Sequence, residues 1–139
     1  MAGVIYLADT TVWVLQDRDQ QIHERFAALM AEGRLAACQM TALEYLNNAP
    51  NPKAYEGVWG VLHGVRWIDV TAPAMDRAMA VHRELGAASL HRNFRLPDLI
   101  IAATAELNGA TVLHYDSDFD HIAKITGQAT EWVAPRGSQ

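Results

Sequence analysis

The stretch Leu96-Pro97-Asp98-Leu99-Ile100-Ile101-Ala102-Ala103-Thr104-Ala105, followed by Asn108-Gly109 and then Thr111-Val112-Leu113-His114-Tyr115-Asp116, decides the fold class. Pro97 and Asp98 suit a first helical turn, where proline loses no needed N–H and an acid meets the positive end of the helix dipole. The residues behind them are apolar almost all round, which is the pattern of a buried helix. Asn108-Gly109 is a stop signal. The short apolar run Thr111–Tyr115 then reads as a strand that breaks at Asp116. A buried helix feeding a buried strand that ends on an acid is the building unit of a parallel α/β sheet.

The same grammar runs outward through the chain. Val4–Ala8 is an apolar run ending at Asp9. Ile22, Phe26, Leu29 and Met30 lie at helical spacing between Gln20 and Glu32, with Gly33 as the stop. Leu35–Met40 forms a second strand that feeds Thr41-Ala-Leu-Glu44, the start of a helix reaching about Asn48. Asn48-Ala-Pro-Asn-Pro52 is a break, and a further helix spans Lys53 to Leu62. Val65–Val70 is the third strand, and Thr71-Ala-Pro73 opens a helix that runs to Gly86. Residues 87–96 form a loop; beyond Asp116 come a short helix to Thr126 and a last strand at Glu131–Val133. No repeat or linker interrupts this alternation. The expectation is one doubly wound domain over residues 1–134 and a flexible tail over 135–139.

The chain has 139 residues, half of them apolar, enough for a single core. Its formal charge of −5 argues against a generic nucleic-acid binder. That objection weakens because Asp9, Glu44, Asp98, Asp116 and Asp118, all near strand–helix junctions, account for the whole of it. Cys38 stands alone inside an apolar run, so it reads as a small buried hydrophobe, and no disulfide framework exists. Val4–Ala8 is too short for a signal peptide and no run approaches a membrane span, so a cytoplasmic setting is expected.

In an open α/β sheet the loops leaving the carboxyl ends of the strands converge on one edge, so acids distant in sequence become neighbours. Carboxylates that meet without cations repel by roughly 4 kcal/mol per pair at about 4 Å and an effective dielectric near 20. A divalent cation reverses that penalty. Each acid also has an ordinary explanation. Asp9 serves equally as a helix cap. Thr41 and Glu44 satisfy the capping-box spacing by themselves. Asp98, at the mouth of a buried helix, needs a partner, and either a cation or Arg95 supplies one. Asp116, Ser117, Asp118 and Asp120 do not form an EF-hand, because the loop's glycine and glutamate positions fall on His121 and Gly127. His114, inside a strand, reads as an interior residue; His23, His63 and His121 read as surface. His91, Arg92 and Arg95 belong to the most basic stretch, which reads by default as a solvated face and alternatively as a phosphate-contacting rim.

Taken together, Asp9-Thr-Thr11, Thr-Ala-Leu-Glu44-Tyr-Leu, Leu-Pro-Asp98-Leu-Ile-Ile-Ala-Ala-Thr-Ala and Val-Leu-His-Tyr-Asp116-Ser-Asp118-Phe resemble the PIN-domain family, most closely the VapC-type toxins of bacterial toxin–antitoxin pairs. The resemblance covers nearly the whole chain. It implies a five-stranded parallel sheet in the order 3-2-1-4-5 and an endoribonuclease using Mg2+ or Mn2+. It also implies control by a cognate VapB-type antitoxin, with a homodimer or toxin–antitoxin hetero-oligomer as the assembly. The family acids fall on Asp9, Glu44, Asp98 and Asp116; Asp118 fits an extra acid that some members carry. Thr11 stands where the family often has Ser and would help orient a carboxylate or water. Asp9 and Asp98 are assigned a first metal, with Glu44, Asp116 and Asp118 completing a second site or placing the water.

Two enzyme rivals fail on residues. A haloacid-dehalogenase-type phosphatase needs an acid at position 11, and a receiver domain needs a strand-end lysine that neither Lys53 nor Lys124 provides. The remaining alternative is a non-catalytic module whose acidic pocket docks a basic peptide.

Overall fold

A computed structural model describes residues 3–139; Met1 and Ala2, included in the expected domain, lie outside the described residues. In chain order the elements are β1 (Tyr6–Ala8), α1 (Thr10–Leu15), α2 (Gln20–Ala31), β2 (Leu35–Ala37), α3 (Gln39–Asn47), α4 (Pro52–Leu62), β3 (Arg66–Trp67), α5 (Ala72–Ala87), a 3-10 turn (His91–Asn93), α6 (Leu96–Leu107), β4 (Thr111–His114), α7 (Ser117–Thr126) and β5 (Thr130–Trp132). All strand pairs are parallel and the sheet order is β3-β2-β1-β4-β5, the order implied by the resemblance.

The strands are short and apolar without alternation because the central ones are covered on both faces. Successive side chains point to opposite faces, and this divides the core in two. Leu7, Ala36 and Val112 pack against α5, α6 and α7 through Val81, Leu85, Ile101, Ala102, Phe119 and Ile122. Tyr6, Ala8, Leu35, Ala37 and Leu113 pack against the opposite layer through Val12, Trp13, Ile22, Phe26, Leu29, Leu46 and Leu62. Trp13 anchors that second layer, 1 % exposed and in edge-on contact with Phe26. Gly33 and Gly109 adopt φ of 69° and 64° where α2 and α6 end, the left-handed turn that glycine accepts most readily.

One helix goes beyond the sequence reading, and three local readings are corrected. Helix α1 starts directly after Asp9, although Thr10-Thr-Val-Trp-Val-Leu15 is rich in β-branched residues; Asp9 caps it, and Val12 and Trp13 hold it on the core. The second strand stops at Ala37 and α3 begins at Gln39, not Thr41. Thr41 therefore lies inside α3, its hydroxyl accepting the Cys38 N–H at 3.0 Å, so the expected Thr41–Glu44 capping box does not form. The third strand shrinks to Arg66–Trp67, an exposed edge paired on one side with β2. The loop at 87–96 contains the 3-10 turn. At the C-terminus, Gln139 donates its main-chain N–H to the Tyr115 hydroxyl at 2.8 Å. No helix among the described residues is long and apolar enough to cross a membrane.

Helix α6 is the element most deeply committed to the core, with Ile101 at 0 % exposure and Leu107 at 48 %. Ile101→Ala is expected to cost about 2–5 kcal/mol through lost contacts and a residual cavity, against about 0.5 kcal/mol or less for Leu107→Ala. Urea unfolding of the two variants checks the difference.

Candidate active site

Strand ends and helix starts bring the acids together. Asp9 follows β1 and caps α1; its main-chain N–H donates to the Leu113 carbonyl at 2.9 Å, locking the ends of β1 and β4 side by side. Asp116 follows β4 and caps α7, accepting the Asp118 N–H at 2.9 Å. Asp98 sits in the first turn of α6. Oxygens of Asp98, Asp116 and Asp118 all lie within 4.8 Å of one another. Glu44 projects from α3, which packs against both α1 and α6.

Burial shapes the electrostatics. Asp9 is 3 % exposed and Asp98 2 %. One Asp9 oxygen, Oδ2, accepts the Thr11 N–H at 3.4 Å; the other, Oδ1, is buried with no hydrogen-bond partner. Burial pushes Asp9 up to about 6, helped by the Glu44 charge and opposed by the N–H groups of Thr10 and Thr11. Asp98 is pushed up to about 7, first by burial, then by the Asp9 charge, with Arg95 opposing and Asp116 and Glu44 adding to it. Asp118 is raised by burial and by Asp116. Carboxylates converging at one edge, Asp98, Asp116 and Asp118 as the close group and Asp9 outside it with one orphaned oxygen, make a donor set for a hard divalent cation, which takes oxygen ligands. The residues present therefore fit a hard divalent cation.

Glu44 is set apart. The Thr10 hydroxyl donates to its Oε1 at 2.7 Å, and the Arg95 guanidinium pairs with its Oε2. Arg95, one of the two partners expected for Asp98, makes its ion pair with Glu44 instead. Beside this pair a polar cleft of about 360 Å³ is lined by Thr10, Thr11, Val14, Glu44, Asn47, Asn48 and Arg95. A larger cavity, about 690 Å³, lies elsewhere, on an apolar face around Met75, Met79, Leu96 and Ile100.

The other candidates separate. Thr11 reaches Asp9 through its main-chain N–H. Arg92 is exposed, and His91 packs on α5 against Gly86 and the His82 ring. Two residues gain roles that sequence reading did not assign. Thr10 also spends its hydroxyl on a site acid, Glu44, because the first turn of α1 directs it toward α3. His114 is fully buried between the rings of Phe119 and Trp132, and its Nδ1 accepts the Asp116 N–H at 3.1 Å. The signal for His114 was its position two residues before a strand-end acid.

The PIN domain family model matches residues 6–125. Ribonuclease VapC18 of Mycobacterium tuberculosis (strain ATCC 25618 / H37Rv) is 39% identical over 137 residues, covering 97% of this chain and 99% of that protein. Ribonuclease VapC51 of the same strain is 38% identical over 133 residues, covering 96% of each. Among solved structures, VapBC2 from Rickettsia felis, bound to a DNA fragment from its promoter, aligns with a TM-score of 0.75 at 18% identity, covering 92% of this chain and 98% of that one. DNA-bound VapBC from Salmonella typhimurium gives 0.74 at 19% identity, covering 95% and 100%.

The raised acids make a pH prediction for metal-free protein. Because their folded values lie above the unfolded ones, the neutral forms favour folding. Their contribution to stability is therefore fullest below about pH 4 and is lost as pH rises through about 6 to 7. Asp9→Asn removes this loss and is expected to stabilise metal-free protein at pH 8 by on the order of 3 kcal/mol, with little gain near pH 4. Urea unfolding in EDTA at the two pH values measures it.

Proposed function

This chain belongs to the PIN-domain family, and from that premise we propose that it is a Mg2+- or Mn2+-dependent endoribonuclease, the toxin of a VapBC-type pair. The observation that carries this reading is the convergence of Asp98, Asp116 and Asp118 within 4.8 Å, beside the orphaned Oδ1 of Asp9. The names of relatives at 38–39% identity over almost the full chain support the same activity.

Asp9, Asp98, Asp116 and Asp118 would hold the metal. When bound, such an ion lowers the pKa of water and offsets charge on the phosphate and the leaving oxygen. The chain's own residues do the rest. The main-chain N–H of Thr11 steadies Asp9, the Asp118 N–H steadies Asp116, and the first turns of α1, α6 and α7 point their N–H groups toward the acidic edge. The cleft beside Glu44 gives single-stranded RNA a polar approach, with Arg95 at its wall. Arg92 and His91 are assigned to the outer RNA rim. Peptide docking alone accounts less well for the site, because it leaves Asp9 and Asp98, 3 % and 2 % exposed, without a counter-ion of their own.

A VapB-type antitoxin is the proposed protein partner, placing a basic side chain against the acidic edge. The proposed unit is a cytoplasmic domain over 1–134 with a flexible tail at 135–139. The apolar face around Met75, Met79 and Leu96, whose side chains are 42 %, 70 % and 61 % exposed, is assigned to self-association as a homodimer or within a hetero-oligomer.

Incubation with total RNA, with and without EDTA, tests the activity. Wild-type protein is expected to generate new RNA ends only when divalent metal is present. Asp98→Asn, folded by circular dichroism, is expected to lose at least roughly 100-fold in rate, the scale reached even by residues that only support metal ligands. Full activity in that variant, or cleavage untouched by EDTA, overturns the proposal.

A further inference from the structure

His114 closes β4 with a side chain that packing alone does not account for. The ring is wholly buried, its centroid 5.1 Å from that of Phe119 and 5.1 Å from that of Trp132. An apolar ring would fill the same slot without carrying two nitrogens out of water. The two nitrogens differ in what they meet. Nδ1 accepts the main-chain N–H of Asp116 at 3.1 Å, so it carries no proton, and the neutral ring bears its hydrogen on Nε2. Nε2 is buried without a hydrogen-bond partner. The Asp120 carboxylate stands 3.9 Å from it, beyond hydrogen-bond reach, and accepts the Trp132 indole N–H at 3.1 Å instead. A buried N–H left unpaired is a cost to folding that phenylalanine at this position would not carry.

What the histidine supplies is an acceptor. Asp116 has extended backbone, φ −153° and ψ 125°, and its own carboxylate accepts the Asp118 N–H at 2.9 Å. Two bonds therefore run in series, from Asp118 to Asp116 and from Asp116 to His114, across the turn that carries two of the close acids. The far end of the series is rigid. His114 pairs with Trp132 in the β4–β5 ladder, and its carbonyl accepts the Val133 N–H at 2.8 Å. We infer that His114 is a positioning residue for the cation site: by accepting the Asp116 N–H on Nδ1, it fixes where the Asp116 carboxylate stands before a metal arrives. The inference rests on the metal site of the nuclease reading above. His114 acts through Asp116 and is no ligand itself, since one ring nitrogen is engaged and the other carries the proton. A ligand held in advance loses less freedom when it binds, so the effect is expected in metal affinity.

The test separates the acceptor from the ring. Mn2+ binding is measured by calorimetry without RNA, and stability by urea unfolding of metal-free protein. His114→Phe keeps an aromatic ring between Phe119 and Trp132 but removes the acceptor. It is expected to bind Mn2+ about 10- to 100-fold more weakly, the range seen when a group that orients a metal ligand is lost. His114→Asn gives up the ring but places an amide oxygen where Nδ1 stood. Its Mn2+ affinity is expected within about threefold of wild type, although its urea midpoint falls below that of His114→Phe. His114→Gln carries the same amide one carbon further out and is expected to lose affinity as His114→Phe does. In metal-free wild-type protein, nitrogen NMR of the labelled imidazole is expected to place the proton on Nε2. The spectrum needs no variant, so it decides even where a substitution prevents folding. Weaker Mn2+ binding by His114→Asn than by His114→Phe overturns the inference. Full affinity in both His114→Phe and His114→Gln, or a proton on Nδ1, does the same, and each of these results leaves the nuclease standing. Wild-type protein that takes up no Mn2+ overturns both together. RNA left uncut by wild-type protein that binds Mn2+ overturns the nuclease and leaves His114 in its role.

Discussion

Like charges held out of water at one edge of a parallel sheet are the constraint on which this structure turns. Asp9 and Asp98 are almost wholly buried, and Asp116 and Asp118 stand close enough to add to the repulsion. Nothing about a hydrophobic core asks for this; a small apolar residue at either buried position would fold more easily. The scaffold offsets part of the cost with helix starts. Asp9 caps α1, Asp116 caps α7 and Asp98 occupies the first turn of α6, so each acid meets main-chain N–H groups or the favourable end of a helix dipole. The offset is incomplete, as the raised values of Asp9 and Asp98 show. An arrangement that folding tolerates but does not favour points to a ligand that does favour it.

Precision at the acidic edge comes from the layers behind it. The bond from the Asp9 N–H to the Leu113 carbonyl makes the separation of the first and last strand-end acids a property of the β1–β4 ladder rather than of loop flexibility. Behind Asp116, the buried His114 ring sits between Phe119 and Trp132 and accepts the Asp116 main-chain N–H. Burial holds that imidazole below its usual value, so it stays a neutral acceptor at physiological pH; Asp120 and Asp116 oppose the shift without reversing it. Behind α1, Trp13 packs on Phe26 and Tyr45. Each acid is thereby tied to a rigid element instead of a loop.

Much of this was legible in the chain because parallel sheets write themselves plainly. Val4–Ala8, Leu35–Met40 and Thr111–Tyr115 read as largely apolar runs, and each hands over to polar residues at the sheet edge. The buried character of α6 was equally plain in Leu99–Ala105. What escaped was decided by tertiary packing. Thr10–Leu15 has poor helix propensity, and only the seat of Val12 and Trp13 in the core makes it helical. Thr41 and Glu44 carry the spacing of a capping box, yet α3 begins two residues earlier, since Cys38 leaves the sheet before Thr41 is reached. Local spacing and long-range register disagreed there, and register prevailed.

That displacement has a consequence for the site. Had the box formed, Glu44 would have been spent on its own backbone at the N-terminus of α3. With the helix starting at Gln39, Glu44 is carried further along α3, to where that helix passes α1 and α6, and its carboxylate meets Thr10 from the one and Arg95 from the other. Two elements that share no strand pairing are thus joined by a single side chain at the cleft wall. Asp9 and Asp98, the two most buried acids, begin or open those same two helices. The Thr10–Glu44–Arg95 connection thus joins the starts of those two helices, and the residue that reads most like a helix cap in the sequence instead bridges the two sides of the acidic edge.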